Sequence, residues 1–146
     1  MRLLGYPGLK LNGLRARLDE ELPRRGTGNV VLHLGGNDIG YMNEKAWKLE
    51  LETNLAYIKA QFPRYNVFWS DMTPRGDWRG KNVVKMEKKR KRSNIRARKL
   101  FYEEGDGVIR HPSLQTDPSM LDDDLVHYSP WGNITFWNDF VNFFNL

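Results

Sequence analysis

The chain has 146 residues, 40% of them hydrophobic and 28% charged, and no cysteine. This length fits one domain with a packed core, and the composition excludes a disordered chain. The lack of cysteine excludes disulfides, thiolate metal sites and a cysteine nucleophile, and tilts the reading toward an intracellular location.

In chain order, Met1–Gly8 has too short an apolar stretch for a signal peptide. Leu11, Leu14, Leu18 and Leu22 follow helical spacing, so an amphipathic helix is predicted over 11–22, closed by Pro23. Asn29–Leu34 is an almost uninterrupted apolar run, read as a strand buried on both faces and far too short to span a membrane. Gly35-Gly36-Asn37-Asp38 ends it. A helix follows over Glu44–Phe62, with Ala46, Leu49, Leu55, Ile58 and Phe62 as its inner side and Pro63 at the stop.

Asn66–Ser70 is a second buried strand, and Asp71–Gly80 is a loop rich in proline and glycine. Asn82–Tyr102 reads as a long charged helix with a thin apolar stripe of Val83, Val84, Met86, Ile95, Leu100 and Phe101. Val108–His111 is a third strand. A polar loop with Pro112 and Pro118 leads to Asp122–Asp124. A last helix runs over Pro130–Phe144, its aromatic stripe read as core, with Ser129 or Thr135 as local helix support. Strands and helices alternate without hairpin signals, which predicts an α/β fold with a parallel sheet between helices.

Parallel sheets carry their chemistry at the carboxyl ends of the strands. The Gly35–Asp38 turn occupies that place. Two glycines let a substrate approach the backbone, and Asn37 can aim an N–H at developing negative charge. The same tetrapeptide also suits a plain loop in which Asn37 or Asp38 makes turn hydrogen bonds. Asp124-Leu125-Val126-His127 has the spacing for a turn that brings a carboxylate to one imidazole nitrogen and leaves the other as a general base. The acidic cluster alone would equally suit the N-terminus of the following helix.

Together the two motifs become specific. Val31–Asp38 resembles the third conserved block of the SGNH (GDSL-like) hydrolases, a strand ending in Gly-x-Asn-Asp. Asp124–Asn133 resembles their fifth block, and Tyr6–Leu11 is similar to their second. The resemblance implies a flavodoxin-like three-layer α/β/α sandwich and Ser-His-Asp hydrolysis of carboxylic esters. It makes His127 the base, Asp124 its orienting carboxylate, and Asn37 and Gly8 the oxyanion donors.

The family's first block, a strand ending in Gly-Asp-Ser, has no counterpart before Gly8. None of Ser70, Ser93, Ser113, Ser119 and Ser129 stands in a Gly-x-Ser context. The nucleophile is therefore absent from this sequence, and the first central strand of the sheet with it. The expectation is a truncated copy of a longer esterase, inactive as written; its substrate would be a small ester once completed upstream.

The alternative is a catalytically dead module that binds nucleic acid or protein through the basic helix 81–99. Ten Lys/Arg and one acid, Glu87, fall in that segment, a local charge of +9 within a chain of net +5. Lys88, Lys89, Arg90, Lys91 and Arg92 are the candidate phosphate contacts, and such a run also suits nuclear import. A solvated helix face accounts for the same residues. No metal or cofactor is expected, because His33, His111 and His127 are far apart in sequence and lack ligand spacing.

Overall fold

The computed structural model describes residues 2–117 and 119–146; Met1 and the expected loop residue Pro118 lie outside the described residues. A short 3-10 turn, Leu11–Gly13, leads into α1 (Leu14–Glu21). There follow β1 (Gly28–Leu32), α2 (Glu44–Gln61), β2 (Tyr65–Ser70), α3 (Val83–Glu103), β3 (Gly107–Ile109) and α4 (Pro130–Phe144). The strands lie in the order β1-β2-β3, and both pairings are parallel.

The alternation of side chains along β2 sorts the layers. Trp69 faces α2 and α3: its ring lies 5.9 Å from Trp47 and 5.7 Å from Phe101. Phe68 points the other way, 5.6 Å from Phe143 and 5.2 Å from Phe144 of α4. Helices thus cover both faces, as the α/β/α expectation requires. Three helices begin at side-chain caps. Asn43 accepts from the Ala46 amide at 2.8 Å, Asn82 from Lys85 at 3.0 Å, and Ser129 from Gly132 at 3.1 Å. Each satisfies a backbone donor that the first helical turn leaves open. Thr135 instead donates to the Trp131 carbonyl at 3.0 Å.

Four expectations are corrected. β1 is not buried on both faces: it is an edge strand, paired only to β2, and Val30 and Val31 stay half-buried. The inner face of α2 is Trp47, Leu51, Asn54, Leu55 and Ile58, whereas Leu49 is exposed. Leu49 lies two positions from both Trp47 and Leu51, about 200° around the helix, so the stripe that buries them turns it outward. In α3 only Met86, Leu100 and Phe101 of the expected stripe are buried, and Ala97 joins them, while Val83, Val84 and Ile95 are exposed.

The aromatic tail is also not core throughout. Phe140 is the one fully buried aromatic of α4, and Trp131, Ile134 and Phe143 are exposed. Among the described residues no other helix packs beside α4 to close over its flanks. Among the described residues no helix is long and apolar enough to cross a membrane.

Candidate active site

The glycine turn after β1 is shaped by what packs on it. Gly35 adopts φ +100, and an added Cβ would fall 2.9 Å from Trp47 Cζ2. Trp47 is fully buried, and its Nε1 donates to the Gly35 carbonyl at 3.2 Å. At Gly36 an added Cβ would come within 2.7 Å of the Arg75 guanidinium. The pair of glycines therefore admits a tryptophan on one side and an arginine on the other.

Asp38, next in the turn, is buried and accepts the Leu11 amide through both oxygens, at 3.1 and 3.3 Å. Burial raises its carboxyl above the ordinary value, against the pull of that amide and of Lys10. Asn54 of α2 binds the other end of the same residue, donating to the Leu11 carbonyl at 3.0 Å.

These contacts hold the N-terminal segment against the turn. Tyr6-Pro7-Gly8-Leu9 is a tight turn closed by a Leu9 amide to Tyr6 carbonyl bond of 3.1 Å, with Gly8 at φ +70. Proline followed by a left-handed glycine is the chemistry a type II turn demands. Asn37 Nδ2 donates to the Leu9 carbonyl at 3.2 Å, so Gly8 and Asn37 belong to one assembly. Arg75, from the loop after β2, reaches Asn37 Oδ1 with both terminal nitrogens at 3.4 Å. A cation on Oδ1 fixes the amide orientation and leaves one Nδ2 hydrogen beyond the Leu9 bond.

The Asp124–His127 segment is a tight loop. Leu121 and Tyr128 form an isolated antiparallel bridge, and the Asp122 amide donates to the His127 carbonyl at 2.8 Å. Asp124 Oδ1 accepts the amides of Val126 and His127, each at 2.9 Å, while Oδ2 pairs with His127 Nδ1. These bonds, the imidazole first, hold the Asp124 carboxyl down at about 2. His127 Nε2 has no protein partner among the described residues, and the His127 side chain is 79% exposed.

The two motifs lie at the same end of the sheet, joined by the loop after β2. The Gly76 amide donates to the Leu125 carbonyl at 2.8 Å, and Thr73 pairs with the Tyr128 hydroxyl. Burial pushes Tyr128 up to about 12, against Thr73 and the Arg75 charge. Arg75 thus sits between the asparagine turn and the histidine loop. No hydrogen bond joins His127 directly to Asn37 or Gly8 among the described residues. Arg75 was not singled out in the sequence, though its place just past the carboxyl end of a strand was a signal that could have found it.

A second polar constellation lies under α4 and brings together two of the three histidines, His33 and His111. His33 Nδ1 lies 2.9 Å from Ser70 Oγ, Ser70 Oγ lies 2.7 Å from His111 Nε2, and His111 Nδ1 lies 2.8 Å from Asp139 Oδ2. The Asp139 carboxylate can only accept, so His111 Nδ1 carries the proton and Nε2 accepts from Ser70. The Ser70 oxygen then accepts from His33. Burial lowers the His111 pKa and keeps the ring neutral, although Asp139 opposes it. The connectivity is that of a hydrolytic triad, yet Ser70 is 0% exposed, sealed from any substrate. Among the described residues no group of three or more His, Cys, Asp or Glu is arranged to hold a metal.

The basic run does not form one surface. Arg90 is buried on Glu87 and the Met72 carbonyl, Lys89 reaches the Met42 carbonyl, and Arg92 pairs with Glu44. Lys88 and Lys91 alone of the five are exposed without such a partner. Five consecutive helical residues cover more than a full turn, so they cannot share a face.

No protein-family model matches the sequence, and no curated protein matches it. Solved structures do. A protein of Streptococcus pneumonia described as a platelet activating factor superposes with TM-score 0.76 at 17% identity, over 93% of this chain and 68% of that one. A GDSL-like lipase of Bacteroides thetaiotaomicron gives 0.71 at 15% identity, over 94% and 72%. A protein of Parabacteroides merdae assigned as a GDSL-like lipase gives 0.72 at 19%, over 92% and 68%. The fold is that of the GDSL-like lipases. In this GDSL-like fold the asparagine turn, the Pro7-Gly8 turn and the Asp124–His127 loop gather at the carboxyl edge of the sheet.

Proposed function

We propose that the chain supplies the base and oxyanion machinery of a carboxylic ester hydrolase, and that the serine nucleophile enters on a strand seated against the open edge of β1. The observation that carries this reading is the Asp124–His127 pair, with Nε2 free, on the same end of the sheet as Asn37. Nδ1 paired to a carboxylate fixes the tautomer, so Nε2 is the nitrogen able to take a proton from the attacking hydroxyl. Asp124 then stabilises the imidazolium.

As the tetrahedral intermediate forms, its oxygen accepts from the Asn37 side chain and the Gly8 amide. His127 next returns the proton to the leaving alcohol, and water hydrolyses the acyl-serine by the same steps. Two features of this chain favour a nucleophile from beyond it. β1 presents an unpaired strand edge. Of the five serines, Ser129 caps α4, Ser119 pairs with Asp117, Ser70 and Ser93 are sealed, and exposed Ser113 has no histidine partner among the described residues.

The test is an N-terminally extended protein, taken from the reading frame upstream of Met1. Where that frame encodes a strand ending in Gly-x-Ser, the extended protein hydrolyses p-nitrophenyl acetate. His127→Ala is expected to lower kcat by about 10⁴-fold or more, the scale seen when such a dyad is broken. Full activity in His127→Ala, or an upstream frame without such a strand, refutes the proposal.

A further inference from the structure

Lys10, Arg79 and Lys81 converge on one exposed phenol. The Lys10 and Lys81 ammonium groups each lie 5.2 Å from the Tyr41 ring centroid, and the Arg79 guanidinium lies 5.8 Å from it. Arg79 also donates to the Tyr41 hydroxyl at 3.1 Å. One cation on an aromatic face is ordinary; three on one ring repel one another. They come from separate stretches of chain: the approach to the 3-10 turn and the end of the loop after β2.

No carboxylate among the described residues lies in direct contact with them: none of the three forms an ion pair with one. The neighbouring acids make their closest contacts elsewhere, Asp38 with the Leu11 amide, Asp77 with the Gly80 amide and Glu87 with Arg90, and act on the three cations only at longer range. The backbone is bent to place them. Arg79 holds φ +55, a conformation non-glycine residues rarely adopt, and Gly80 follows at φ +76.

Tyr41, Arg79 and Lys81 share a shallow pocket with Gly36, Asn37 and Arg75. The charge therefore borders the candidate oxyanion turn itself. A larger cleft, about 390 Å³, starts at Asp71–Pro74 of the same loop and carries four cations, of which Arg90 and Arg98 are paired with Glu87 and Asp71 while Lys91 and Arg110 are not; it does not border Asn37.

We propose that Lys10, Tyr41, Arg79 and Lys81 form an anion subsite, and that the ester this fold acts on carries an ionised acidic group, a carboxylate or a phosphate, docked there while its carbonyl lies at Asn37. The second half rests on the hydrolase reading; the anion site does not. The Tyr41 phenol adds a signature. Its pKa is lowered, first by the Arg79 hydrogen bond and then by the Arg79, Lys81 and Lys10 charges. An anion among those cations returns it toward its ordinary value.

The experiment is an NMR titration of the 146-residue chain with monomethyl succinate, with methyl butyrate as the neutral match and inorganic phosphate as a third probe. The charged monoester is expected to shift the resonances of Lys10, Tyr41, Arg79 and Lys81 and to bind at least about five-fold more tightly than methyl butyrate. It should raise the Tyr41 titration midpoint. Arg79→Asn, which suits the left-handed backbone, combined with Lys81→Gln is expected to weaken binding roughly ten-fold while the spectrum elsewhere stays unchanged. Whichever of succinate monoester and phosphate binds more tightly names the acidic group.

Equal binding of charged and neutral esters, or binding that survives the double variant, overturns the proposal. Because no turnover is measured, a failed hydrolysis assay on the extended protein leaves this result standing, and a failed titration leaves the hydrolase reading standing.

Discussion

Asp38→Ala removes one of the two attachments that hold the Gly8 segment to the asparagine turn, the other being the Asn37 bond to the Leu9 carbonyl. Both Asp38 oxygens accept the Leu11 amide, and Leu11 is fully buried, so alanine leaves that N–H without an acceptor. A hydrogen bond to a charged group contributes about 1.5–3 kcal/mol, and an orphaned buried donor costs a comparable amount. Against this, the carboxyl is itself buried, and its raised pKa shows that the ionised form is disfavoured by desolvation. The net expectation is a loss of about 2 kcal/mol, roughly a 4–10 °C fall in Tm for a chain of this size.

Asp38→Asn keeps an acceptor and discards the desolvated charge, and should stay within about 1 kcal/mol of wild type. The sign with pH follows from the raised pKa. Asp38 contributes most to stability when protonated, below its unfolded value, and that contribution is lost as pH rises through the folded pKa. The Asn variant should therefore gain on wild type between pH 4 and pH 7. Urea melts followed by circular dichroism at both pH values measure this. An alanine variant within 0.5 kcal/mol of wild type, taken as about the noise of such melts, refutes the assigned role. So does an asparagine variant as unstable as alanine at both pH values.

Three further outcomes are expected. Carbon-13 titration should place the Asp124 carboxyl at about 2, and in His127→Gln it should move toward the ordinary 3.8, since the imidazole is the largest cause of the depression. Stability should fall as pH drops below about 6.5, because burial lowers His111 and pushes His33 down to about 3, so the unfolded chain takes up protons more readily; pH-dependent urea melts of His111→Phe should show a flatter profile, with the His33 share remaining. Gly132→Ala should cost more than about 2 kcal/mol, because an added Cβ collides with the rigid Met120 carbonyl, and thermal melts should detect it even though alanine favours helix.

The parts of this fold legible in the sequence were those governed by local rules. α4 was read over Pro130–Phe144 and is found there, because Ser129 and Pro130 are strong starting signals. The Asp124–His127 contact also follows from a spacing within one turn, and the structure contains it. Burial on both faces of β1 was not legible, because an apolar run of five residues does not reveal whether the strand has one neighbour or two. The α4 aromatics misled for a related reason: their helical spacing is real, but one isolated layer cannot enclose them all.

The contacts of Arg75 and Tyr41 and the His33–Ser70–His111–Asp139 chain were not legible in the sequence, although the position of Arg75 after a strand was. Each joins residues that are at least 28 positions apart in sequence along the contacts that matter, Asn37 with Arg75 at 38 and His111 with Asp139 at 28 among them. Only the sheet's register brings them together. The basic run was visible as composition, but its dispersal over the helix is a consequence of pairing with Glu44, Glu87 and backbone carbonyls that no local window contains.

The polar chain under α4 does something for the sheet that its residues individually do not. Ser70 closes β2, while His33 and His111 stand just past the ends of β1 and β3, so one hydroxyl fastens three strand tips side by side. A one-residue slip of any strand would turn its member of the set to the opposite face. Eight ladder pairs in all hold these strands, five on one side of β2 and three on the other, and burial of their faces already favours one alignment. A directional run of donors and acceptors adds to that preference, and it does so at the edge from which both the asparagine turn and the Arg75 loop depart. Small errors of alignment are thus corrected where they would otherwise displace the asparagine turn and Arg75.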